Sequence, residues 1–129
     1  MSSMENEKTT HIIIGSAYTV YNQMGFGFLE SVYHKAMLIE LTKHGLKVES
    51  EKPLEVYYDD QIIGKFFADL VVDDTVIVEL KSVQKIAKEH EVQLVNYLNC
   101  IRKDIGLLIN FGPTSVDVKR KYRELSGQD

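Results

Sequence analysis

The segment Thr75 to Lys81 is apolar and β-branched at nearly every position, so neither of its faces can be left in water. A strand of that kind belongs inside a sheet with cover on both sides. Ile105 to Phe111 is a second apolar strand, broken by Gly112 and Pro113, and Val116 to Val118 is expected to add a short edge strand. The cover comes from three helical patterns. Ile13, Ala17, Val20, Tyr21 and Met24 recur at helical spacing and predict a first helix ending near Gly25 and Gly27. Leu29, Val32, Ala36 and Ile39 predict the core stripe of a second, stopped by Gly45. A third, from about Glu89 to Arg102, is expected to bury Leu94, Leu98 and Ile101.

Between the second and third helices the period changes to two. Leu54, Val56 and Tyr58 alternate with polar neighbours, Asp59 and Asp60 make a turn, and Ile62 to Val72 returns. The expected class is therefore α/β in the α+β sense, a mixed β-sheet flanked by helices. Without an internal repeat or linker, residues 1–129 are expected to form a single domain. A chain of 129 residues can bury roughly two-thirds of its unfolded surface and needs no disulfide to do so. Cys100, the only cysteine, has no partner and reads as a small core residue on a helix, which points to a reduced, cytoplasmic protein. No apolar run approaches membrane-spanning length. The formal net charge of −4 argues against broad electrostatic binding of nucleic acid, although Lys119, Arg120, Lys121 and Arg123 form a local basic run.

Charged side chains within apolar strands are the exceptions that carry information, because burying one unpaired is costly. Glu79 and Lys81 share a strand face, with Leu80 on the other. Whether Asp69 joins them is a matter of parity. A two-residue turn pairs Val72 with Thr75 and sets Asp69 opposite Val78, whereas a three-residue loop, Asp73 to Thr75, pairs Val72 with Val76 and sets Asp69 opposite Glu79. The three-residue loop or an equivalent bulge is expected, since it lets both carboxylates grip one cation. Two carboxylates, a backbone carbonyl at Leu80 and waters suit Mg²⁺ or Mn²⁺ better than zinc, and Lys81 can place its ammonium beside the ion. The competing reading is a salt-bridged face of an edge strand.

The sequence also resembles a known family. Gly27, Phe28, Leu29, Glu30, Ser31, Val32 and Tyr33 match the GxxExxY motif of the GxxExxY protein family. Ala68 to Leu70, Val76 to Lys81, Glu91 with Gln93 to Leu98, and Gly106 to Gly112 resemble its other blocks, from about residue 8 to 122. That family is placed in the PD-(D/E)xK nuclease-like superfamily. The resemblance implies an αβββαβ restriction-endonuclease-like core, here with an extra N-terminal helix, and Mg²⁺-dependent phosphodiester hydrolysis. It implies Asp69 as motif aspartate, Glu79 as second acidic ligand, Lys81 as motif lysine and Glu30 as a further metal ligand. Ala68 stands where the superfamily's proline would be. Tyr33 is expected to support the site. Gln93 and Tyr97, similar to a QxxxY motif, are expected with Lys81 to contact DNA or RNA. His90 is expected at a helix start. So small a core leaves little surface to embrace a duplex, which makes a homodimer one expectation. The alternative function is a catalytically silent nucleic-acid-binding or protein-interaction module on the same fold.

Overall fold

The structure is a computed structural model that describes residues 3–124. Its elements run α1 (Ser3–Met24), α2 (Glu30–Lys43), β1 (Val48–Tyr58), β2 (Gln61–Val72), β3 (Val76–Lys81), α3 (Lys88–Ile101), β4 (Ile105–Phe111) and β5 (Val116–Tyr122). The strands form a five-stranded sheet in the order β1-β2-β3-β4-β5. Only β3 and β4 are parallel, and α3 supplies the crossover that a parallel pair needs.

Helices α1 and α2 cover one sheet face, placing Ile13, Ala17, Val20, Tyr33, Met37 and Leu41 on Val72, Val78, Leu107 and Phe111. Helix α3 covers the other with Leu94 and Leu98, over Val71, Ile77 and Leu108. Strand β4 is buried at every position, as its unbroken apolar sequence requires. At Gly106 the close approach of α3 leaves no room for a side chain: a Cβ there would lie 3.0 Å from a Leu94 methyl carbon.

Several expectations need correction. The buried stripe of α2 is Tyr33, Met37 and Leu41, while Leu29 and Ile39 are 77% and 65% exposed. The helix is turned toward Tyr33 because that ring stacks on Phe111 with centroids 4.3 Å apart, and its hydroxyl donates to the Gly25 carbonyl. A buried aromatic whose hydroxyl is satisfied outweighs two aliphatic side chains. Tyr58 is exposed because the β1/β2 hairpin runs beyond the helices. Strand β5 extends to Tyr122, and part of its basic run is structural. Lys121 Nζ lies 2.7 Å from Glu91, and Arg123 pairs with Asp104 at 3.0 Å. Cys100 is exposed, lying off the Leu94–Leu98–Ile101 stripe. Among the described residues no helix is long and apolar enough to cross a membrane.

Candidate functional site

The loop between β2 and β3 has three residues, Asp73, Asp74 and Thr75, and pairs Val72 with Val76, Val71 with Ile77 and Leu70 with Val78. Its aspartates carry φ of 50° and 61°, a left-handed conformation that short polar side chains tolerate. One further step of this register sets Asp69 opposite Glu79, where the backbone ladder stops. Asp69 N–H donates to Glu79 Oε2 at 2.8 Å, and Leu80 N–H donates to Asp69 Oδ2 at 2.8 Å. Each carboxylate thus takes the place of a ladder carbonyl, so the parting strands are clasped crosswise by acidic side chains.

The same level of the sheet is irregular on the β1 side. Ser50 pairs with Leu70 and Lys52 with Ala68, which brackets Glu51 opposite Asp69, and Glu51 has φ of +52°. Below this point Val48, Leu70 and Val72 face the α1/α2 core; above it Leu54, Phe66 and Ala68 face the α3 core. All six numbers are even, so the alternation of both strands reverses here. Uninterrupted alternation is the assumption that fails. Through the reversal Phe67 turns to the α2 side, where it lines a cleft of about 270 Å³ with Glu30, Ser31, His34, Glu51, Asp69 and Leu80.

Burial, then the neighbouring charge of Asp69, pushes the Glu79 carboxyl up from an ordinary 4.5 to about 7. Glu30 adds to the rise, while Asp69 N–H and Lys81 oppose it. Glu79 therefore feels Asp69, Lys81 and Glu30 together. Glu30 is exposed in the first turn of α2, in line with buried Tyr33 and Met37. Tyr33 does not reach the carboxylates; it ties down the loop before α2, with its hydroxyl on Gly25 and with Phe28 N–H donating back at 3.4 Å. Tyr97 stacks on Phe66 at 3.6 Å, and its hydroxyl pKa is raised by burial and by Glu79, which places it beside the acidic pair. Gln93 is exposed one turn earlier. His90 Nδ1 accepts from Ala87 N–H at 3.3 Å, a helix-start role.

Sequence reasoning missed four residues here. Asn110, fully buried in β4, bonds both backbone groups of Val83 at 2.9 Å and so fixes the chain just after Lys81; an amide inside an apolar strand was the available signal. His34, with Nε2 2.6 Å from Ser50 Oγ, and Phe67 line the cleft. Glu51 reaches its place through a bulge near Val56 and Tyr57. Counting back from Tyr58 and Gln61 without that bulge would pair Ser50 with Asp69, so the sequence offered no signal for Glu51.

Among the described residues no three His, Cys, Asp or Glu side chains converge closely enough to hold a metal ion. Asp69 and Glu79 nonetheless suit a hard divalent cation. Both are oxygen donors, each commits one oxygen to a backbone N–H, and their mutual repulsion leaves a local excess of negative charge.

The family model described as the PD-(D/E)XK nuclease superfamily matches residues 7–121. No curated protein matches the chain. The crystal structure of SSO0001 is similar, with a TM-score of 0.58 and 19% sequence identity over 74% of this chain, which spans 52% of that one. At that identity the likeness speaks to the fold, and the mixed sheet with helices on both faces is restriction-endonuclease-like.

Proposed function

The chain belongs to the PD-(D/E)XK nuclease superfamily, and from that premise we propose that it hydrolyses phosphodiester bonds in DNA or RNA with the help of a divalent cation, Mg²⁺ or Mn²⁺. The crosswise clasp of Asp69 and Glu79 is the observation that carries this reading. These two carboxylates and the Leu80 backbone carbonyl would hold the ion, with Glu30 approaching from α2. When bound, such a cation supplies positive charge to phosphoryl oxygens and acidifies water. Lys81 orients the attacking water by donating to it, and offsets charge that grows on the phosphoryl group. Gln93 and Tyr97 contact the strand, one by amide hydrogen bonds and the other through its ring face or hydroxyl. Tyr33 is a positioning residue, since it pins the loop that leads into Glu30. Gly27, Glu30 and Tyr33 support the finer placement in the GxxExxY family.

The test is cleavage of single- and double-stranded DNA and RNA with Mg²⁺ or Mn²⁺ by wild type, Glu79→Ala and Lys81→Ala. Cleavage by wild type, reduced at least ~100-fold in both variants, is expected. Equal cleavage by all three proteins would trace the activity to a contaminant and defeat the reading. One observation favours a second reading, a silent binding module: the cleft is lined by Glu30, Glu51 and Asp69 with no Lys or Arg. Metal binding and salt-dependent nucleic-acid binding without turnover would select it.

A further inference from the structure

Six non-glycine residues have positive φ among the described residues. Asp59, Asp60, Asp73 and Asp74 do so in tight turns, and Arg102 does so as the C-cap of α3, all ordinary uses of that conformation. Glu51 alone adopts it inside a strand. Glutamate has no local hydrogen bond to gain there, unlike Asn or Asp, and its Cβ is crowded. Something must hold the residue in place.

Its position says what the conformation achieves. Glu51 sits across from Asp69, bracketed by the pairs Ser50 with Leu70 and Lys52 with Ala68. Its side chain is exposed, lines the same cleft as Glu30 and Asp69, and enters no hydrogen bond or ion pair among the described residues. An extended residue at this point would keep the alternation of β1 unbroken and leave Leu54 and Phe66 unable to face the α3 core. The kink therefore serves the hydrophobic core. The choice of glutamate at the kink, where Gly or Asn would sit with less strain, is what the core does not explain.

We propose that Glu51 is a further carboxylate of the cation site, reaching it from β1 where Asp69 reaches it from β2. The inference rests on the nuclease reading. It extends the acidic set to four elements, Glu30 on α2, Glu51 on β1, Asp69 on β2 and Glu79 on β3, around the single ammonium of Lys81. Glu51 then neutralises and orients the ion from the open side of the cleft, while Asp69 and Glu79 grip it from the sheet.

The test is a calorimetric Mn²⁺ titration of wild type, Glu51→Gln, Glu51→Asn, Glu79→Gln and the control Glu55→Gln, with a thermal melt of each metal-free protein. Glu51→Gln and Glu51→Asn should both weaken Mn²⁺ binding at least tenfold. The melting temperature of metal-free Glu51→Asn should equal or exceed that of wild type, because asparagine enters the left-handed region more easily. Glu55→Gln should bind as wild type does. If both Glu51 variants bind Mn²⁺ like wild type while Glu79→Gln does not, Glu51 lies outside the site and the nuclease reading survives. Loss in Glu51→Asn but not in Glu51→Gln would assign the effect to the backbone and overturn the proposal. A wild type that takes up no Mn²⁺ would remove the site and the reading with it.

Discussion

Strand β2 is two strands in one. Leu70, Val71 and Val72 are buried and paired on both sides, to β1 and to β3. Residues 61–67 pair with β1 alone and lie largely in solvent, with Ile62, Ile63 and Phe67 more than half exposed. Asp69 stands at the boundary. Where β2 leaves β3, the N–H groups of Asp69 and Leu80 lose their ladder carbonyls, and the carboxylates of Glu79 and Asp69 replace them. A sheet that opens must supply acceptors at the fork, and carboxylates there meet that need while remaining available to a cation. The buried half gives the fork rigidity, and the free half gives it an open side.

The sharpest way to break this comparison is to truncate each half. Leu70→Ala should destabilise the protein by roughly 2–5 kcal/mol, through lost transfer energy and the cavity left in the α1/α2 core. Ile63→Ala, at a 64% exposed position, should stay within about 0.5 kcal/mol. Urea unfolding of both variants measures the contrast. Similar costs would mean that the hairpin arm is packed against a partner and that the two halves do not differ.

The fork itself should show in the pH dependence of stability. Glu79 has a folded pKa of about 7 against an ordinary 4.5, so the folded state binds its proton more tightly than the unfolded state does. Above about pH 7 the folded protein bears the full cost of the buried charge. As pH falls from 7 to 4.5 that cost disappears, and the metal-free protein gains roughly 3 kcal/mol from this group. Asp74 and Glu91, whose pKa values are lowered by Lys103 and Lys121 respectively, act in the opposite direction. They are present in both wild type and Glu79→Gln, so the difference between the two isolates Glu79. The variant should be the more stable protein at pH 8, with the advantage vanishing near pH 4.5. An advantage that does not change with pH would mean that Glu79 is ordinarily solvated.

Much of this was legible in the sequence, because the signals were local. The apolar runs marked β3 and β4 as interior strands, and loop parity put Asp69 across from Glu79. The side on which α2 packs was not legible. Four aliphatic positions, Leu29, Val32, Ala36 and Ile39, formed a stripe as plausible as the real one. The decision came from a ring stack between Tyr33 and Phe111, residues 78 positions apart. Glu51 was hidden for a similar reason: a bulge several residues away shifts its register by one, and nothing in its own neighbourhood signals a kink. What failed was non-local packing and the propagation of register, while the chemistry of individual residues was read correctly at His90 and in the satisfied hydroxyl of Tyr33.

The smallest expected effect concerns how far the free half of β2 is independent. Phe66 is its one side chain packed against α3, where it stacks on Tyr97 with centroids 3.6 Å apart and planes 13° from parallel. Tyr97 also lies within the field of Glu79, so the stack connects arm, helix and carboxylate pair. A double-mutant cycle of Phe66→Leu and Tyr97→Leu should give a coupling of about 0.5–1.5 kcal/mol in unfolding free energy, the increment typical of an aromatic pair beyond its area burial. Coupling near zero would leave the arm hinged at Asp69 alone, free to move relative to the fork. Coupling in the expected range makes the arm an extension of α3, and any strand held by Tyr97 would then be sensed along β2 as far as Asp69.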